Sequence, residues 1–351
     1  SMEKFFKLKE NGTNVSTEII AGFTTFFAMS YIIFVNPSIL SATGMPSQAV
    51  FLATIFAAAI GTLIMGLFAN VPYAQAPGMG LNAFFTFSVC LTLHYTWQQA
   101  LAAVFISGVL FIIITLTSIR EKIVDALPHN LKLAISGGVG LFIALIGLKS
   151  GGIVVSNAAT LVGFGKLIEA KAVLTLIGIL ITGVLMAKNV KGAILIGIIV
   201  TTIIGIPLGI THPVAINQMI SLPPSIAPTF FKMDFIGLLG IGKAGVLGAI
   251  ASLVMVVITI CLVDLFDTIG TLVGTAEKAK MLDENGRVKN MNKALLCDAV
   301  ATTLGAVFGT STVVTYVEST SGVAEGGRTG LTSFTIGVLF ILALFFSGLV
   351  G

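Results

Sequence analysis

The chain has 351 residues, of which 56% are hydrophobic and only 10% charged, with a formal net charge of +4. A soluble domain carries about 25% charged residues, so this chain has too little polar side chain to coat a water-facing surface. That excludes a cytosolic enzyme, a nucleic-acid binder and a disordered chain, and leaves a polytopic membrane protein.

Taken in chain order, the first feature is basic: Lys4, Lys7 and Lys9 precede the first apolar run. From Ile19 through Ile119 there is then no Asp, Glu, Lys or Arg. At about 20 residues per crossing, that stretch holds about four spans with tight connections. Apolar runs between breakers give eleven spans in all: 18–40, 48–69, 73–91, 97–119, 129–149, 172–187, 192–210, 245–273, 294–309, 311–327 and 329–351. The third and tenth are short and rich in Gly, Ser or Thr. Segment 211–242 is an outer loop with four prolines, and 281–290 is a polar loop. Cys90, Cys261 and Cys297 all lie in apolar runs and read as small core residues, without metal or disulfide spacing.

The positive-inside rule orients the spans. With a cytoplasmic N-terminus, fourteen of the nineteen basic residues fall inside, and only Lys149, Lys166, Lys171, Lys232 and Lys243 fall outside. The sequence also repeats. Sliding the second span onto the ninth by 240 positions brings Phe68 onto Phe308, Thr62 onto Thr302 and Ala59 onto Ala299. The same shift lays YAQAPGMGLN (73–82) on VVTYVESTSG (313–322). The matched spans run in opposite directions. Paired interrupted spans in two inverted halves point to a transporter site at the membrane midplane.

Five acids fall within spans or at their ends: Asp264, Asp267, Asp298, Glu318 and Glu325. A carboxylate inside the bilayer is costly and marks function by default. In CLVDLFDTIGTLVGT, helical spacing places Asp264, Asp267, Thr268, Thr271 and Thr275 on one polar stripe. The β-branched run 312–317 predicts a strand, after which Ser319 opens a short helix with Glu318 at its N-terminal end. Pro77 suits the first turn of the matching helix in the other half. Gly78 and Gly80 let backbone approach a ligand, and Asn82 supplies an uncharged donor and acceptor. Asp298, near Lys293, is as consistent with a structural role as with a functional one. Glu325 and Arg328 read as a local pair at a span end.

The expected site is therefore acidic without basic partners. It would repel an anion and suit a neutral ligand rich in N–H donors, because a carboxylate only accepts. Two carboxylates as close as Asp264 and Asp267 would not both stay charged in a dry cavity, so one is expected to carry a proton.

QAPGMGLNAFF (75–85), DLFDTIGTLVG (264–274) and GTSTVVTYVESTSGVAEGGRTGLT (309–332) resemble the AzgA-type purine permeases, which carry adenine, guanine and hypoxanthine and are relatives of the uracil and xanthine permeases. The resemblance implies an all-α polytopic membrane protein with an inverted-repeat fold of seven plus seven spans and short strands in spans 3 and 10. About eleven spans are present here. The implied core domain comprises 14–119 and 244–351, and 120–212 is half of the gate domain; the other half, spans 12–14, is expected to be absent from this chain. The resemblance further implies proton symport at the cell membrane by elevator-type movement of core against gate. Asn82, Asp264, Asp267 and Glu318 match family positions for substrate binding or transport. Substrate binding is thus expected at Glu318, Asp264, Asn82, Gly78, Gly80, Thr268 and Ser319, and proton coupling at Asp267 and Asp264. The expected partners are a purine nucleobase, a proton and the lipid bilayer. A homodimer stays open, and no cofactor, metal or nucleic acid is expected. Alternatives are a uracil or xanthine permease and an anion exchanger of the same fold, against which the acidic site argues. An intramembrane aspartyl protease would need its acids on two facing helices and a GxGD motif, which does not occur here.

Overall fold

A computed structural model describes residues 1–117, 144–190, 193–213, 220–240, 245–278 and 290–349, together with positions 134, 138, 141 and 281. Most of the span read at 129–149, and most of the polar loop at 281–290, lie outside the described residues.

The first half opens with a short helix α1 (Met2–Phe6), then α2 (Val15–Met29), whose first turn is capped by the Asn14 side chain accepting from Thr17 N–H. A break at Ser30 and Tyr31 separates α2 from α3 (Ile32–Leu40). Next come α4 (Ser47–Leu67), strand β1 (Gln75–Pro77) and α5 (Met79–Ala83), which continues as wider helical turns to Thr92. α6 (Trp97–Leu116) starts at a reciprocal cap between Thr96 and Gln99. A hairpin of β2 (Val154–Asn157) and β3 (Leu161–Phe164) leads to α7 (Ala170–Ala187) and α8 (Ala193–Gly205). The second half is α9 (Gly245–Lys278), α10 (Met291–Phe308), β4 (Val313–Thr315), α11 (Ser319–Ala324) and α12 (Gly330–Leu342). Among the described residues six helical runs are long and apolar enough to cross a membrane, and two shorter apolar helices accompany them.

The two halves are related by an internal two-fold. α4 packs on α12 and its counterpart α10 packs on α6, while α2 packs on α12 as α9 packs on α6. α4 and α10 meet each other at the axis. There Gly61 lies against Ala301, its own repeat mate: a methyl group added at Gly61 would sit 2.9 Å from the Ala301 side chain. β1 and β4 pair antiparallel with Gln75 opposite Thr315, again 240 positions apart, and Gln75 Nε2 donates to Thr315 Oγ1 at 2.5 Å. The ladder extends at both ends, Tyr316 N–H donating to Ala74 and Gly78 N–H to Thr312. Thr62 donates to the Gln75 carbonyl and Thr302 to that of Val313, so one threonine of each repeat holds the strand beside it.

One expectation shifts. Pro77 does not open a helix. It stays in β1, and α5 starts at Met79 after Gly78. The reason is the ladder: Gly78 N–H is spent on Thr312, which keeps the chain extended one residue longer. Arg328 reaches backbone at the span end, its guanidinium donating to the Val323 and Gly327 carbonyls.

Segment 221–240 lies across the ends of three helices. Ser221 N–H bonds to Phe345, Phe231 N–H to Val307 and Asp234 N–H to Gln98, while Thr229 Oγ donates to Phe308.

Candidate transport site

The antiparallel crossing of β1 and β4 stops both chains mid-span, and a short helix leaves each strand in the opposite direction. This places a helix start on either side of the ladder, Gly78 on one and Glu318 on the other. The first N–H groups of a helix favour negative charge or an acceptor atom, although at the start of α11 those of Ser319, Thr320 and Ser321 bond to the Tyr316, Val317 and Glu318 carbonyls.

Glu318 is held by the break in the first span. Tyr31 Oη donates to Glu318 Oε1 at 2.7 Å, and the Tyr31 ring lies 6.5 Å from that of Tyr316, centre to centre. Tyr316 in turn donates its hydroxyl to the Pro77 carbonyl across the ladder. Glu318 opens into a cavity of about 410 Å³, within the range of about 300–1,000 Å³ typical of small-molecule sites. Thr320, Ser321 and Ala324 of α11 and Ala28 of α2 form one wall. Met186, Asn189, Val190, Ala193 and Ile194, from the turn between α7 and α8, form the other. No Lys or Arg is among these lining residues.

A second acidic group lies behind the ladder. α9 runs unbroken through both of its aspartates, so neither belongs to a loop. Asp264 is buried and accepts from Thr268 and Thr302, each at 3.2 Å. Asp298 of α10 is fully buried, with Asp264 and Thr268 as its polar neighbours. Asp267 is partly buried and lies near Glu318 and Tyr316. The four acids thus form a chain from Asp298 through Asp264 and Asp267 to Glu318.

The remaining expected residues fall into different roles. Thr268 belongs to the Asp264 group. Ser319 is buried, and its hydroxyl accepts from Ala74 N–H, which ties the start of α11 to the other half. Gly78 makes its close approach to Val314 of β4, which a methyl group would meet at 2.6 Å. Gly80 is partly exposed in α5. Asn82 is fully buried; its carbonyl oxygen accepts from Ser311, and its NH2 is unpartnered. It belongs to a separate polar group that includes Asn36, which donates to Thr54 and Thr310.

Sequence reasoning passed over Tyr31, Tyr316 and Thr302 and left the role of Asp298 open. A signal existed for the tyrosines: the chain has only four, and a tyrosine in the middle of an apolar span needs a partner for its hydroxyl.

Residues 16–351 match the Permease family pattern of xanthine and uracil permeases. The chain is 46% identical over 347 residues to the guanine/hypoxanthine permease PbuO of Bacillus subtilis, covering 98% of this chain and 78% of that protein. It is 42% identical over 350 residues to the adenine permease AdeP of Escherichia coli, covering 100% and 76%. In fold it is similar to the transmembrane domain of the cyanobacterial bicarbonate transporter BicA, with a TM-score of 0.66 at 16% identity over 95% of this chain and 83% of that one. The inverted halves, the interrupted crossing and this relatedness together make the chain a multi-pass membrane transporter, not an enzyme, belonging to the xanthine/uracil permease family.

Proposed function

We propose that the protein imports purine nucleobases, adenine, guanine or hypoxanthine, across the cell membrane together with protons, with its N-terminus in the cytoplasm. One observation carries the reading: Glu318 stands at a half-helix start and opens into a cavity whose described lining residues include no cation. A purine offers ring and exocyclic N–H groups, which a carboxylate accepts. An anionic cargo would meet the Glu318 carboxylate there. The kinship with adenine and guanine/hypoxanthine permeases supports the same cargo.

Proton coupling rests on the acid chain. Asp264 and Asp298 lie side by side and both are buried, and two carboxylates so placed share a proton at lower cost than they bear two charges. With Asp267, which lies between Asp264 and Glu318, they form the coupling network. Taking up the proton with the base neutralises the site, which lowers the cost of moving the loaded core (14–119 and 244–351) past the gate (120–212).

The test is uptake of labelled adenine, guanine, hypoxanthine and uracil by cells that lack their own carriers, with and without a protonophore. Purine accumulation that collapses with the protonophore is expected. Uptake of uracil alone, or accumulation indifferent to the proton gradient, overturns the reading.

A further inference from the structure

Thr302 of α10 is buried and stands between two acceptors. Its Oγ lies 3.0 Å from the Val313 carbonyl of β4 and 3.2 Å from Oδ2 of Asp264. A hydroxyl has one hydrogen to donate. Given to one of these oxygens, it leaves the other contact without a proton; shared between both, it strengthens one only at the expense of the other. Protonation of Asp264 ends the competition. Oδ2–H then donates to Thr302 Oγ, and the threonine hydrogen is left whole for Val313.

The repeat mate has that second arrangement built in. Thr62 Oγ donates to the Gln75 carbonyl at 3.0 Å and accepts from Gln75 N–H at 2.9 Å. A permanent donor thus stands at Thr62 where a carboxyl oxygen stands at Thr302. The ladder makes both strands depend on their threonines. The bonds from Tyr316 N–H to Ala74 and from Gly78 N–H to Thr312 set its alternation, which turns the backbone groups of Gln75 and Val313 away from the opposite strand.

We propose that Thr302 is a positioning residue that transmits the protonation of Asp264 to strand β4. This rests on the reading given above, in which the Asp264–Asp298 pair takes up the transported proton. With Asp264 protonated on Oδ2, Thr302 holds the Val313 carbonyl, and β4 keeps Glu318, just beyond it, in the binding position. With Asp264 charged, the threonine hydrogen turns to the acid and β4 loses that tie. Protonation therefore favours the base, and by reciprocity the base favours the proton. The titratable groups facing Asp264 are Asp298 of α10 and Asp267 and Cys261 of its own helix. Asp267 in turn faces Tyr316 and Glu318. α5, α6 and the turn Ile236–Gly240, which also pack on α9, carry none.

The experiment measures the Kd of hypoxanthine against pH, and the protons taken up per base bound, with the purified natural protein and with Thr302→Val, Thr302→Ser and Thr62→Val. In the natural protein Kd is expected to rise with pH above the titration of the pair, by up to about tenfold per pH unit, the limit for one linked proton. Thr302→Val is expected to lose that slope and the proton uptake with it, whereas Thr302→Ser, which keeps the hydroxyl, retains both. Thr62→Val removes the equivalent tie in the other half, where Gln75 N–H takes the place of the acid, and is expected to weaken binding equally at every pH. A full slope with full proton uptake in Thr302→Val, or a slope lost equally in Thr62→Val, overturns the proposal. If the natural protein takes up no proton with the base, the coupling reading itself fails instead. Should the valine variant not fold, Thr302→Ala is expected to lose the slope too, because the water it admits has a hydrogen for each oxygen and nothing is left to compete for.

Discussion

Glu18 shows how much a single side chain can organise in a membrane protein. It is fully buried at the start of α2 and accepts from the backbone N–H of Arg328 at 3.0 and 3.2 Å. Thr329 Oγ also donates to it, and so does Thr332 Oγ at 2.6 Å. These donors open α12, so one carboxylate clasps the first span to the last described one. Leaving a buried donor unpaired costs about 1–3 kcal/mol. Glu18→Ala is therefore expected to lower the melting temperature of the detergent-solubilised protein while the folded fraction keeps its affinity for purine. A variant that melts unchanged would show that water replaces the carboxylate at no cost. At the site, Glu318→Gln removes a charged acceptor and is expected to weaken purine binding by about 1.5–3 kcal/mol, roughly tenfold to a hundredfold, read by calorimetry. Asp298→Asn is expected to bind base yet fail to concentrate it against a gradient, because the Asp264 group loses the partner with which it shares a proton. The sequence marks Asp264, Asp267 and Glu318 plainly, since acids in apolar runs stand out locally. Glu18 is invisible there: it sits at a span end like any headgroup residue, and its partners lie more than three hundred positions away.

At the scale of elements, close backbone contact does what large side chains do in soluble cores. α4 and α12 touch at Gly66 and Gly330; a methyl group added at Gly66 would sit 3.1 Å from Phe334 N as well as against the Gly330 carbonyl. Gly66→Leu is expected to force the two helices apart, with an overpacking cost of about 1–3 kcal/mol read as a lower melting temperature. Gly183 in α7 makes the contrast, because nothing lies within 4 Å of an added methyl group there. Gly183→Ala gains helix propensity and is expected to stabilise α7 by about 0.5–1 kcal/mol. Equal responses at the two positions would contradict the packing described. The strand at 313–315 was legible because Thr312, Val313, Val314 and Thr315 are β-branched. Its pairing with 75–77 was not, because register between segments so far apart depends on the whole fold. That is also why Pro77 was misplaced by two residues: its local preference for a helix start yielded to a ladder bond that its own neighbourhood does not encode.

At the scale of the whole molecule, segment 221–240 follows α8 in the chain but bonds to Phe345, Val307, Phe308 and Gln98, within the stretches proposed above as the core. If core and gate move as separate bodies, that segment travels with the core. Ser221 and Ser347 hydroxyls lie 2.9 Å apart. A cysteine pair at those two positions is expected to cross-link and leave uptake intact. A linker between cysteines at Ala28 and Ala193, on opposite walls of the cavity, is expected to stop uptake. Full transport with the second link in place, or none with the first, would refute the division into core and gate.

The two-fold frame has one more consequence. The repeat sets Gly78 in the place that Glu318 holds in the other half, and Gly322 in the place of Asn82. A dimer of identical halves would bear two carboxylates or none, and a base docked between them could turn end for end with no change in energy. By fusing the halves into one chain, the protein frees the two edges to diverge, so that one became an acid and the other bare backbone. The scaffold stays symmetric while the pocket acquires a head and a tail, an asymmetry that the proposed cargo, itself an asymmetric ring, would meet in one orientation.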